Sequence, residues 1–116
     1  MADTPFSREN TARRMRAVLK LLGVSKTAFG KLLGYTPQQV RDVINANYGP
    51  NHEAVFAVYQ ITSISADWLV YGLPRGLSEL SIEQRAELLE LERQAAEELE
   101  EYLKSRGRSK PTEERS

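Results

Sequence analysis

Along the first 45 positions apolar residues recur at intervals of three and four, the spacing of helices with one buried face. In "RENTARRMRAVLKLL" the positions Thr11, Met15, Val18, Leu19 and Leu22 share such a face. Ser7 stands where an N-cap belongs, and Gly23 where the helix should stop. Ser25 caps a shorter helix, "KTAFGKLL", ended by Gly34. The next stretch, "GYTPQQVRDVIN", holds a conflict: proline is costly inside a helix, yet Val40, Val43 and Ile44 keep helical spacing. The conflict disappears if Pro37 takes the first helical position, where its missing N–H costs nothing, with Thr36 and Gln39 closing a capping box around it. A fourth helix, "HEAVFAVYQI", places Val55, Val58, Tyr59 and Phe56 toward a core. A short fifth, "SADWLVYG", is capped by Ser65 and stopped by Gly72 and Pro74. No alternating β-branched run and no hairpin dipeptide occurs, so the expected fold class is all-α.

After "GLPRGL" the pattern changes. Residues 81–106 read as a Glu-rich helix opened by the capping box "SIEQ". Ile82, Leu89, Ala96 and Leu103 recur at intervals of seven, with Leu88, Ala95, Leu99 and Tyr102 widening the stripe. Such a narrow stripe flanked by glutamates suits a helix that pairs with a second copy. The linking "LPRGLSEL" leaves it room to stand away, although packing back on its own domain is the other way to cover it. The expected organisation is a five-helix domain over 1–76, an amphipathic helix over 77–106 and a disordered polar tail over 107–116. The expected dimerisation residues are Ile82, Leu88, Leu89, Ala96, Leu99, Tyr102 and Leu103.

Charge sharpens this division. The formal net charge is zero, but nine Lys/Arg oppose five Asp/Glu in residues 1–77, whereas four oppose nine in residues 78–106. A front half at +4 fits a polyanion, and a helix at −5 would be repelled by one. The absence of cysteine excludes disulfides and thiolate metal sites. One histidine, His52, leaves little for metal or general-base chemistry and reads as a surface residue opening the fourth helix. No apolar run is long enough to span a bilayer, and "MADTPFSREN" has polar residues where a signal peptide needs an apolar stretch.

The segment "KTAFGKLLGYTPQQVRDVIN", residues 26–45, has the spacing of two short helices crossing at a tight turn. Gly34 supplies the turn, Gly30 is compact four positions earlier, and β-branched Val40 follows six positions later. Downstream, "ISADWLVYG", residues 64–72, follows a Ser-x-Asp-Trp-Leu pattern. Together the two segments resemble the lambda-repressor-like helix-turn-helix DNA-binding family, bacteriophage repressor type, over roughly residues 8–73. Gly30 stands where that family usually has alanine, and the C-terminal helix lies outside the likeness. The resemblance implies a third helix that enters the major groove of duplex DNA.

At about 100° per residue, Gln38, Arg41, Asp42 and Asn45 lie within about 50° of one direction, opposite Val40, Val43 and Ile44. Gln and Asn can bond adenine, Arg guanine, and Asp can accept from cytosine, although Asp42 could instead orient Arg41. Gln39 is a further base-reading candidate, with the cap as its first role. The candidates for phosphate contact are the cations Lys26, Lys31, Arg13, Arg14 and Arg16. Ser25, Thr27, Thr36, Asn47, Tyr48 and Asn51, at helix starts and loops, join them.

The aromatic residues Trp68, Tyr59, Phe56 and Tyr71 fall at core spacing rather than forming a base-stacking platform. "GVSKTAFGK" is no phosphate loop, because six residues separate its glycines, Leu32 replaces the magnesium-binding hydroxyl, and no strand precedes it. No nucleophile–base pair or metal spacing is present, so neither enzymatic activity nor a cofactor is expected. The resemblance implies a cytoplasmic repressor of prokaryotic or phage type, a homodimer on a palindromic DNA operator. The rival reading is an antitoxin or adaptor whose residues 78–116 engage a toxin-like or antirepressor protein.

Overall fold

The computed structural model describes residues 7–115, with side chains through residue 106. Their order is α1 (Arg8–Leu22), α2 (Lys26–Leu33), α3 (Pro37–Ile44), α4 (His52–Thr62), α5 (Ala66–Leu69), a 3₁₀ turn (Pro74–Leu77) and α6 (Ile82–Arg115). Among the described residues there is no strand. Side-chain oxygens of Ser7, Ser25, Thr36, Asn51 and Ser65 accept from backbone N–H groups in the first turns of α1 to α5. These caps satisfy donors that a helix start otherwise leaves without partners. Gly23 and Gly34 close α1 and α2 in the left-handed region, at φ 68° and 78°.

The core is one cluster. Met15 and Val18 from α1 meet Phe29 and Leu33 from α2 and Val40, Val43 and Ile44 from α3. Val58 from α4, Ile64 from the loop after it, and Trp68 and Leu69 from α5 close it. α4 departs from expectation at one position. Ala54 and Val58, one turn apart, form its buried face, which turns Phe56 outward to 59% exposure. Tyr71 is also exposed, whereas Trp68 is buried as its spacing predicts. The expected linker is also packed. Ser65 N–H donates to Gly76 O at 3.0 Å, and Gly76 and Leu77 are buried. A Cβ on Gly76 would lie 2.1 Å from the Trp68 backbone nitrogen, so only glycine lets this turn close on α5.

The C-terminal helix does not stand away. It packs along α1 in the most extensive helix contact of the molecule. Leu88, Ala95 and Leu99 are buried, and Leu80 just before the helix joins the same core. Full burial of each leucine is worth about 1.5–3 kcal/mol. Ion pairs set the register: Arg13 Nε to Glu92 at 2.8 Å, Lys20 Nζ to Glu98 at 2.6 Å, and Arg16 to Glu98 at 3.6 Å. Being partly exposed, they contribute roughly 0.2–1 kcal/mol each and act as guides rather than as the main adhesion.

The expected dimerisation stripe is divided by this packing. Leu88 and Leu99 are interior residues of the same chain, and Ala96, Tyr102 and Leu103 are half-covered. Ile82 and Leu89 remain exposed at 78% and 49%. The reason is that α1 offers both an apolar strip and cations spaced to meet the glutamates of α6. The "SIEQ" box forms as expected, with Ser81 Oγ accepting from Gln84 N and Gln84 Oε1 from Ser81 N. The backbone of residues 107–115, expected as a disordered tail, continues α6.

Candidate nucleic-acid interface

Two helices of eight residues each, α2 and α3, are joined by Gly34, Tyr35 and Thr36. Their approach is close: a Cβ on Gly30 would lie 2.6 Å from Tyr35 O and 3.2 Å from Val40 Cγ2. Tyr35 N–H donates to Gly30 O at 2.7 Å, tying the turn to the helix before it. Pro37 opens α3, and the capping box is complete. Thr36 Oγ1 accepts from Gln39 N at 3.2 Å, and Gln39 Oε1 accepts from Thr36 N at 2.8 Å. Gln39 is thus committed through its carbonyl oxygen to the helix start.

Along the outer face of α3 the polar groups form a relay. Arg41 donates to Gln38 Oε1 at 2.8 Å, and Gln38 Nε2 donates to Asp42 Oδ1 at 3.0 Å. Asn47 Nδ2 reaches the same oxygen at 3.4 Å. Asp42 therefore orients Gln38, and Gln38 orients Arg41, which answers the question the carboxylate raised. Gln38 and Arg41 are exposed and Asp42 half-buried.

Asn45 is not equivalent to them. It sits at the C-cap, half-buried, and its Oδ1 accepts from Arg16 at 2.6 Å while Arg16 Nε donates to Ile44 O at 2.7 Å. A long cation from α1 thereby satisfies the carbonyl end of α3, with a sign that suits the helix dipole. The outward group narrows to Gln38 and Arg41, supported by Asp42.

The expected phosphate contacts separate into two sets. Ser25, Lys26, Thr27 and Lys31 on α2 are exposed, as are Thr36, Tyr48 and Asn51 around α3. Asn47 is half-buried in the turn after α3. A groove of about 240 Å³ lies beside α3, lined by Gln39, Asp42, Tyr48 and Asn51 among others. Ser25, Thr36 and Asn51 are the N-caps of α2, α3 and α4, so their oxygens already hold backbone N–H groups.

Arg13 and Arg14 do not belong to this surface. Arg13 pairs with Glu92 of α6. Arg14 is 4% exposed, lies 6.0 Å over the Trp68 ring, and donates to Leu69 O and Val70 O. Burial, reinforced by Arg13 and opposed by Glu92, lowers its pKa from the ordinary arginine value. Arg16 is lowered by burial as well, against the opposing pull of Glu98. Periodicity alone gives no signal that these arginines serve packing, because their spacing on α1 matches a solvated face as well as a buried one.

The remaining cations are distributed with a bias. Among the described residues Arg13, Arg16, Lys20, Arg75, Arg93 and Lys104 each have a carboxylate within 4.0 Å. Arg8, Lys26, Lys31, Arg41, Arg85 and Arg106 form no such pair among the described residues. Three of these six stand on α2 and α3, and Arg85, on α6, donates to the backbone oxygens of Leu80 and Ser78 instead. The other two converge on Asn47: Arg8 donates to its backbone oxygen at 3.1 Å, and Arg106 to its side-chain oxygen at 2.9 Å. Sequence reasoning missed both, since nothing in spacing relates positions 8 and 106 to position 47. Cations without carboxylate partners thus gather at α2, α3 and the turn after α3, while Arg13, Arg16 and Lys20 of α1 are paired with the glutamates of α6.

No group of three or more His, Asp or Glu side chains poised for a metal occurs among the described residues, nor a helix long and apolar enough to cross a membrane. Comparison of the chain with protein-family models, with curated proteins and with solved structures found no match.

Proposed function

We propose that this chain is a sequence-specific double-stranded DNA-binding transcriptional regulator, a cytoplasmic repressor of phage type that inserts α3 in the major groove. The observation that carries the reading is the composition of the α2–α3 surface. An eight-residue helix, set on its neighbour by a three-residue turn, presents Gln38 and Arg41 outward as a hydrogen-bonded pair. Lys26 and Lys31, without carboxylate partners among the described residues, flank them. Arg and Gln are the residue types that bond guanine and adenine edges, and free surface cations suit the phosphates on either side. The lambda-repressor-like resemblance of residues 26–45 and 64–72 points the same way, and the sites expected of an enzyme are missing from the sequence.

In this reading two copies bind a palindromic operator with half-site centres one helical turn, about 34 Å, apart, and repress by covering a promoter. The surface of α6 left open for the second copy is the flank of Ile82 and Leu89. The rival reading, a segment reserved for a toxin-like or antirepressor protein, would have to use the same flank, because α1 covers Leu88, Ala95 and Leu99. Selection of bound sequences from a random duplex pool tests the proposal: an inverted repeat is expected, and a pool without enrichment rules out specific repression.

A further inference from the structure

Arg8 and Arg106 come from opposite ends of the described chain and meet at one residue outside the α2–α3 surface. Arg8 opens α1 and uses one nitrogen on Asn47 O; Arg106, far along α6, uses one nitrogen on Asn47 Oδ1. Both side chains are exposed, and neither has a carboxylate partner among the described residues. A guanidinium has five N–H donors, so one hydrogen bond each leaves donors for a further partner, and the Arg106 guanidinium also lies 6.0 Å from the centroid of the Tyr102 ring. The nearest carboxylate in the hydrogen-bond network, Asp42, already receives Gln38 and Asn47. Arg16, close by at the end of α3, is compensated by Glu98. Two like charges brought to one residue without a counter-ion repel each other, and an anion placed between or beside them removes that repulsion.

We propose that Arg8 and Arg106 form a phosphate clamp at the turn after α3, each guanidinium taking one backbone phosphate of duplex DNA. The clamp rests on the reading that α3 faces DNA and adds α6 to the binding surface. The acidic helix expected to be repelled by DNA then contributes Arg106 to holding it. Asn47 acts as the spacer that keeps both forks at the edge of the α3 surface, and the contact is independent of base sequence.

The test is the salt dependence of binding by the full chain to the duplex recovered in the selection, read by fluorescence anisotropy. Variants Arg8→Gln, Arg106→Gln and the double variant are compared with wild type and with Arg93→Gln, whose guanidinium is held by Glu90 and Glu97. Each single variant is expected to reduce the slope of log affinity against log salt by about 0.9, and the double variant by about 1.8. Over a fourfold rise in salt, wild type then loses about 3.5-fold more affinity than each single variant. Arg106→Lys, which keeps the charge, retains the wild-type slope. The preferred operator sequence stays unchanged throughout. Slopes equal to those of wild type and Arg93→Gln overturn the clamp, as does a changed base preference at constant slope, which would make the arginines supports of the turn. If the wild-type chain binds no duplex at all, the DNA reading and the clamp fall together; if it binds and only the slopes are unaffected, the clamp alone falls.

Discussion

Adjacent leucines on α6 distinguish a helix packed within its own chain from one that pairs with a second copy. Leu88 is fully buried against the core, whereas Leu89 is 49% exposed. Truncating a fully buried leucine to alanine removes its transfer free energy and leaves a cavity, and costs about 3 kcal/mol. At Leu89 only about half of the side chain leaves water on folding, and solvent fills the space, so the cost is about 1 kcal/mol. In urea, with a slope of about 1.5 kcal/mol/M, Leu88→Ala lowers the unfolding midpoint by about 2 M and Leu89→Ala by about 0.7 M. Unfolding of both variants is followed by circular dichroism at two protein concentrations, with slopes compared to confirm an unchanged transition. A two-chain seam built on the expected stripe covers both leucines, so the two losses would then be similar in size and would depend on protein concentration. A loss at Leu89 as large as that at Leu88 would refute the packing of α6 on α1.

Other substitutions probe the turn and the outer face of α3. Gly30→Ala gains about 1 kcal/mol of helix propensity but drives a methyl against the Tyr35 carbonyl; a net loss of about 1–2 kcal/mol is expected in thermal unfolding. A stabilised Gly30→Ala would contradict the close crossing of α2 and α3. Ala46 sits at φ 67° just after α3, so Ala46→Gly should stabilise by about 0.5–1 kcal/mol and raise the melting temperature. Gln38→Ala should cost about 1–3 kcal/mol of operator binding and relax one position of the recovered motif. Lys26→Ala should weaken all duplexes alike and reduce the salt slope by about 0.9.

Local rules carried much of the architecture. Caps, stops and apolar spacing depend on neighbours within one or two turns, so Ser7, Thr36 with Gln39, Ser81 with Gln84, and the glycines after α1 and α2 were all readable from the chain. Pro37 as a first helical residue follows from the same local sterics. Which surface covers an apolar stripe is a different kind of question, because its answer lies many residues away. The heptad spacing of α6 was visible, but an apolar stripe does not name its partner. Only the matching of Leu88, Ala95 and Leu99 to α1, with Glu92 and Glu98 opposite Arg13, Arg16 and Lys20, decided that the partner is the same chain. The arginines divide for the same reason. Sequence determined that the front of the chain is basic, whereas tertiary packing decided which cations are spent on Trp68, Asn45 and the glutamates of α6, and which keep their charge at α2, α3 and Asn47. Charge is a property of a residue; its availability is a property of the space around it.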